Sequence, residues 1–243
     1  MSFKLSQIGK RKKKQSDQKK LQIISSKTPF QYGEAYRTLR TNINFMGADK
    51  KYQKIVITSS IPGEGKSNVA VNLSATLAQN NQKVLLIDCD LRKPVLHKYL
   101  RIAHNKKGLT NVLSGDIALT DVIVHFTDLN FDVIPAGVIP PNPAELLGSS
   151  KMETVLESLS AQYDYIIMDA PPALLVTDAA VLSNVADGVL FVVSYDNVTV
   201  ETARKAKRNM EAANANVIGA VCNEFKEKGT AGYAEYYNSD YKY

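Results

Sequence analysis

The chain has 243 residues, 44% of them apolar and 22% charged, which describes a water-soluble globular protein with enough core for one large α/β domain or two small ones. No uninterrupted apolar run approaches the ~20 residues of a membrane-spanning helix. The first 20 residues are too polar for a secretory signal, and Cys89 and Cys222 build neither a disulfide framework nor a zinc cluster. A reducing cytoplasm is therefore the expected setting.

The net charge of +6 sits at one end. Residues 1–20 hold eight basic side chains against Asp17 alone, so the rest of the chain is close to neutral. That removes the case for a nucleic-acid binder built on overall charge. Residues 1–24 read as a basic flexible tail, and attraction to anionic lipid and a merely solvated arm both remain open for it. Residues 33–47 read as a helix. At ~100° per residue Glu34, Arg37 and Arg40 form one charged arc, while Tyr36, Leu39, Ile43 and Met46 lie opposite, expected to dock on the domain and leave the charged stripe free. Such stripes are ordinarily solvated faces.

From Lys54 onward, short β-branched runs alternate with amphipathic stretches: 54–58, 83–88, 131–135, 165–169, 189–194 and 217–223. Most runs are continuously apolar, as strands buried on both faces are. The segments between them, for example 67–79 and 199–213, are long enough for crossover helices. The expected fold is α/β, a doubly wound and mostly parallel sheet in a single domain over residues 25–225. Ligands of such sheets bind beyond the carboxyl ends of the strands.

The first strand runs into Ser60-Ile-Pro-Gly-Glu-Gly-Lys66-Ser67, a phosphate-loop pattern with Ser60 where glycine is usual. Gly63 and Gly65 let successive N–H groups turn inward towards phosphate oxygens at a helix N-terminus. Lys66 is expected to reach the β- and γ-phosphates of a nucleoside triphosphate, and Ser67 to ligate Mg²⁺. Gly63, Glu64, Gly65, Lys66, Ser67 and Asn68 form the expected cofactor-binding set, with Val69, Leu73 and Leu77 holding the helix to the sheet.

Two further strands end in acids. Leu85-Leu-Ile-Asp88-Cys-Asp90-Leu-Arg92 puts Asp88 and Asp90 on one side and Cys89 on the other. Ile166-Ile-Met-Asp169-Ala-Pro-Pro172 ends likewise. Carboxylates beside a phosphate loop suit a hydrated Mg²⁺ and a proton acceptor. Capping of the next helix, whose first turn Pro94 suits, is the alternative for Asp88 or Asp90. Further on, Asn142 is a plausible helix cap with Pro143 at the first helical position. His97, His104 and His125 are scattered without evident partners.

The last 11 residues hold five of the 12 tyrosines, Tyr233, Tyr236, Tyr237, Tyr241 and Tyr243. Residues 226–243 are polar and show no helical or strand period, so an accessible tyrosine-rich tail is expected rather than a packed aromatic core.

The runs SIPGEGKS, LLIDCDLR and IIMDAPP together resemble the bacterial protein-tyrosine kinases of capsule and exopolysaccharide systems, relatives of the MinD/ParA P-loop ATPases, and the resemblance extends from about Ser25 to the C-terminus. It implies Asp88 as base for the tyrosine hydroxyl, Asp90 and Asp169 as metal-organising acids, and Asn223 as an adenine contact, although a structural role for Asn223 and an exchange of roles between Asp88 and Asp90 stay open. It implies that Glu34, Arg37 and Arg40 join subunits into a ring, and that the terminal tyrosines are autophosphorylated between subunits. It further implies a transmembrane polysaccharide co-polymerase adaptor that activates the kinase and recruits it to the inner face of the plasma membrane, a tyrosine phosphatase as antagonist, and no nucleic-acid partner. The competing expectation is a MinD/ParA-like nucleotide-switched scaffold without kinase activity. Against it, Ile61 stands where such ATPases carry a signature lysine, and the terminal tyrosines would have no purpose.

Overall fold

The computed structural model describes residues 22–25, 28–47, 51–102, 107–195 and 197–224. Among them seven strands form one sheet: β1 (Lys54–Ser59), β2 (Val84–Asp88), β3 (Val124–Phe126), β4 (Phe131–Ile134), β5 (Tyr165–Asp169), β6 (Gly188–Ser194) and β7 (Val217–Asn223). Their order is β3-β4-β2-β5-β1-β6-β7, and every pairing is parallel except β3–β4. The six expected strands are present within a residue or two of their expected ends. The additional β3 has three residues and lies antiparallel at one edge, too short to show a period.

The continuous apolar runs are divided by the pleat. Ile55 and Ile57 enter one core with Leu86, Ile167 and Leu190, whereas Val56 enters the other with Leu85, Ile87, Ile166 and Met168. Helices α1 (Phe30–Met46) and α2 (Lys66–Ala78) cover the first face. The remaining helices are α3 (Leu96–Tyr99), α4 (Leu109–Ser114), α5 (Pro143–Leu147), α6 (Ser150–Ser160), α7 (Asp178–Ser183) and α8 (Val200–Ala212). Residues of α4 to α8 contribute to the second core, while Leu96 of α3 belongs to the first.

Helix α2 is buried on nearly every side, not on a single stripe. Val69, Leu73 and Leu77 face the sheet as expected, but Val71, Asn72, Ser74, Ala75 and Thr76 are buried too, and α1 packs alongside with Tyr32 on Asn72 and Arg40 on the Thr76 carbonyl. Ser74 and Thr76 meet that burial by donating their hydroxyls to the carbonyls of Ala70 and Asn72, one turn back.

Helix α1 departs from its expected form in two ways. It starts at Phe30, just after Pro29, and Tyr36 and Ile43 are buried, yet Met46 is 40% exposed rather than docked. Arg40 already lies level with the C-terminal turn of α2, so Met46, about 9 Å further along at 1.5 Å per residue, has passed the end of its neighbour. Nor is the charged arc wholly free: Glu34 and Arg37 stay solvent-accessible, but Arg40 is engaged. Arg37 pairs with Glu34 along the helix, and Arg40 Nη1 donates to the carbonyl of Thr76 at 2.8 Å. The last turn of α2 has no basic residue, so Arg40 supplies from outside the cation that a helix C-terminus favours.

Candidate active site

Between β1 and α2 the chain wraps through Gly63 and Gly65, both at φ +87°. A Cβ at Gly63 would meet nothing within 4 Å, whereas one at Gly65 would fall 2.1 Å from Asn223 Nδ2. The loop is held from behind by Glu64. Its side chain is fully buried, with Oε2 accepting from the Ile61 N–H at 2.8 Å and Oε1 from the Ser194 N–H at 3.2 Å. Glu64 therefore turns its carboxylate into the protein, leaving only its backbone for a ligand. Asn223, at the end of β7, donates Nδ2 to the Glu64 carbonyl at 2.8 Å. Asn223 thus braces the loop, the structural role weighed for it beside an adenine contact.

Sheet order brings the acids to this loop. Parallel pairing sets Asp169 beside Ile57 of the strand that feeds the loop, and Asp88 beside Asp169 one strand further out, so both carboxylates lie on the same side of that strand. Lys66 Nζ lies 3.0 Å from Asp90 Oδ2 and 3.3 Å from Asp169 Oδ1, and donates to Ser67 Oγ at 3.4 Å. Burial weakens the hold of Lys66 on its proton, but Asp169 and Asp90 more than reverse that and keep it an ammonium. Asp169 is raised by burial and drawn back by Lys66 and a Ser67 hydrogen bond.

Asp88 is raised well above the usual carboxylate range, by burial first and then by the neighbouring Asp169 charge. It accepts from the N–H groups of Asp90 (3.2 Å) and Leu96 (3.3 Å), and Asp90 accepts from the Lys93 N–H at 3.0 Å. Of the two, Asp88 reaches the next helix, through the N–H of Leu96 at the start of α3, whereas Asp90 holds the turn before it with Oδ1 and keeps Oδ2 on Lys66; Pro94 lies ahead of α3 and not in its first turn. Cys89 points into the second core, and burial pushes its thiol up.

One residue pair escaped sequence reasoning. Arg92 grips the buried Asp178 with two bonds of 2.9 Å, Nε to Oδ2 and Nη2 to Oδ1. The pair ties the Asp88–Asp90 loop to the first turn of α7, beyond the end of β5. Arg92 belongs to a run already singled out, but nothing in the sequence couples it to a partner 86 residues away.

The other expectations divide. Asn68 directs its amide to Asn72 and Tyr32, not outward. Asn142 precedes Pro143 at the start of α5 as expected, yet its side chain donates to Glu145 Oε2 instead of capping the backbone. His125 does have a partner, Asp132 at 2.7 Å, at the opposite end of the sheet. The five terminal tyrosines lie outside the described residues, as does His104.

The residues fit a magnesium–phosphate ligand. Among the described residues no group of three or more His, Cys, Asp or Glu encloses a metal ion. Asp169 Oδ2 is buried without a hydrogen-bond partner among the described residues. One hydroxyl and two acids are the sparse protein set that Mg²⁺ uses when phosphate and water complete its shell.

Comparison with known proteins decides the family. Residues 52–222 match a family model described as an AAA domain. The tyrosine-protein kinase YwqD of Bacillus subtilis is 42% identical over 207 residues, covering 85% of this chain and 87% of the relative. The chain belongs to the bacterial protein-tyrosine kinases. A tyrosine-protein kinase CpsD of Streptococcus agalactiae is 36% identical across 90% of this kinase and 95% of its own length. The crystal structure of the chimerical protein CapA2B2 superposes with a TM-score of 0.78 at 36% identity, over 83% of this kinase and 87% of that chain. The fold is that of the P-loop NTPases, shared with MinD of Pyrococcus horikoshii, solved with Mg-ADP (TM-score 0.61, 25% identity, 75% of this kinase and 76% of MinD). Among the described residues of this tyrosine kinase, no helix is long and apolar enough to cross a membrane.

Proposed function

We propose that this kinase moves the γ-phosphoryl group of ATP to tyrosines of its own C-terminal tail, acting between neighbouring copies, and so regulates capsular or exopolysaccharide synthesis and export together with a transmembrane adaptor. The contact of Lys66 Nζ with both Asp90 and Asp169 carries the proposal, since it joins the cation that a γ-phosphate needs to the acids that a metal needs. The amides of Gly63, Glu64, Gly65, Lys66, Ser67 and Asn68 hold the phosphates. Lys66 neutralises charge that builds on the γ-phosphate, and Asn223 keeps the loop in shape. Ser67, Asp90 and Asp169 are the residues that would hold Mg²⁺, which when bound offsets phosphate charge. Asp88 orients the tyrosine hydroxyl and takes its proton, a role that its raised proton affinity suits.

In the proposed organisation residues 25–225 form the kinase domain, 1–24 a basic arm and 226–243 the acceptor tail. About 18 extended residues at ~3.3 Å each reach tens of ångströms, enough to enter a neighbour's site. Self-association through the α1 face carrying Glu34, Arg37 and Arg40, in a ring, raises the local concentration of that tail. The adaptor recruits the kinase to the inner membrane face, and a tyrosine phosphatase resets it. Incubation with ATP and Mg²⁺ followed by mass spectrometry is expected to find phosphate on Tyr233, Tyr236, Tyr237, Tyr241 and Tyr243, all lost in Lys66→Met. ATP binding without any modified tyrosine would refute it.

A further inference from the structure

Helix α2 carries a fully buried amide, Asn72, that the site described above does not use. Its Oδ1 accepts from the Ile24 N–H at 2.8 Å. Its Nδ2 lies within bonding distance of the Gln22 carbonyl (2.8 Å), the Tyr32 hydroxyl (3.1 Å), and both Asn68 Oδ1 (2.6 Å) and the Asn68 carbonyl (3.1 Å). Tyr32 in turn donates to the Gln22 carbonyl at 3.0 Å and accepts from Asn68 Nδ2 at 3.4 Å. Tyr36 meets Tyr32 edge to face at 5.3 Å, with its hydroxyl raised by burial and by that neighbour. One amide therefore joins three pieces of chain: segment 22–25, helix α1, and the first turn of α2, where Asn68 follows Ser67 directly.

An apolar side chain at 72 would fill the same space. What an amide adds is direction, because it fixes which carbonyl of segment 22–25 (the strap), which amide and which tyrosine stand opposite one another, and buried polar groups of this kind set register. We infer that Asn72 and Tyr32 are positioning residues for the phosphate loop: through Asn68 they make the geometry of the first turn of α2 depend on segment 22–25 and α1 being seated. This rests on the reading of residues 60–67 as the nucleotide loop. By reciprocity, nucleotide in the loop must then tighten the strap, and a loosened strap must weaken nucleotide binding by the same factor.

The test uses the full chain with Tyr32→Phe, which removes one hydroxyl from a half-buried ring, and Asn72→Ala. ATP affinity and steady-state kinase rates are measured beside hydrogen exchange at the Ile24 amide, with and without Mg-ATP. Expected are a KM for ATP raised about fivefold in Tyr32→Phe, the equilibrium effect of a single net hydrogen bond, and raised further in Asn72→Ala, with kcat within twofold of the parent. Mg-ATP should slow exchange of the Ile24 amide in the parent and do so less in both variants. If Ile24 exchange accelerates in the variants while their ATP affinity stays at the parent value, the strap is merely packing and the inference fails alone. If the parent chain itself binds no ATP, the reading of the loop fails and takes this inference with it.

Discussion

Gly63 and Gly65 share one backbone conformation but not one environment, and that difference yields a quantitative test. Alanine at Gly63 pays only for its positive φ, roughly 1 kcal/mol, since nothing lies within 4 Å of the new methyl group. Alanine at Gly65 has the same strain and also displaces the Asn223 amide, 2.1 Å from the new carbon, which must give up its bond to the Glu64 carbonyl. Asn223 is the mobile end of a side chain, so the added term is the lost hydrogen bond, about 1 kcal/mol. Where the strain falls on binding, Gly63→Ala weakens ATP about fivefold and Gly65→Ala about thirtyfold. Asn223→Ala alone costs its hydrogen bond, and in that background Gly65→Ala should cost no more than Gly63→Ala does. Titration with a fluorescent ATP analogue, with thermal melts to account for stability, completes the double-mutant cycle. Equal losses at the two glycines, or additivity of Gly65→Ala with Asn223→Ala within about 0.3–0.5 kcal/mol, would show that Asn223 does not brace the loop.

Other expectations concern the charged groups. Asp88→Asn should abolish phosphotyrosine formation yet raise Tm near pH 7.5, by about 2–4 °C per kcal/mol recovered in a chain of this size. Because its folded-state pKa lies above the unfolded one, the stability that its proton confers is present at low pH and lost as pH rises through the folded value, so the advantage of Asn should shrink as pH falls towards 4; an advantage that grows on acidification would refute the assignment. Asp178→Ala leaves Arg92 without its two bonds and should lower Tm and kcat together; Arg92→Lys, which keeps charge but loses the planar fork, should recover little of either in the same melts and rate assays. Glu64→Gln can keep only one of the two N–H bonds that the carboxylate accepts, and calorimetry should record a loss of about 1–3 kcal/mol.

Most of the sheet was legible in the sequence because short β-branched apolar runs between amphipathic stretches mark strands buried on both faces, and the loop and acids because a phosphate-loop pattern restricts residue choice tightly. What escaped was tertiary. Asn72 and Ser74 are polar side chains in a helix whose apolar positions suggest one docked stripe, yet both are interior, Asn72 against Tyr32 of α1. Arg40 looked like a surface charge and instead completes the end of a different helix. Glu64 reads as a loop residue facing its ligand, and only the position of Ser194 reveals that it points the other way. Arg92 and Asp178 need the sheet order before they can meet.

The buried threesome of Lys66, Asp90 and Asp169 implies a rule of admission. An anion that pulls the ammonium away strands two carboxylates in a poorly hydrated place, and a cation that captures the carboxylates strands the ammonium; each exchange on its own is penalised by desolvation. A visitor bringing both signs together can replace every partner at once. On the proposed reading of the site, its mouth would act as a coincidence detector, favouring metal-loaded triphosphates over stray ions and bare nucleotides.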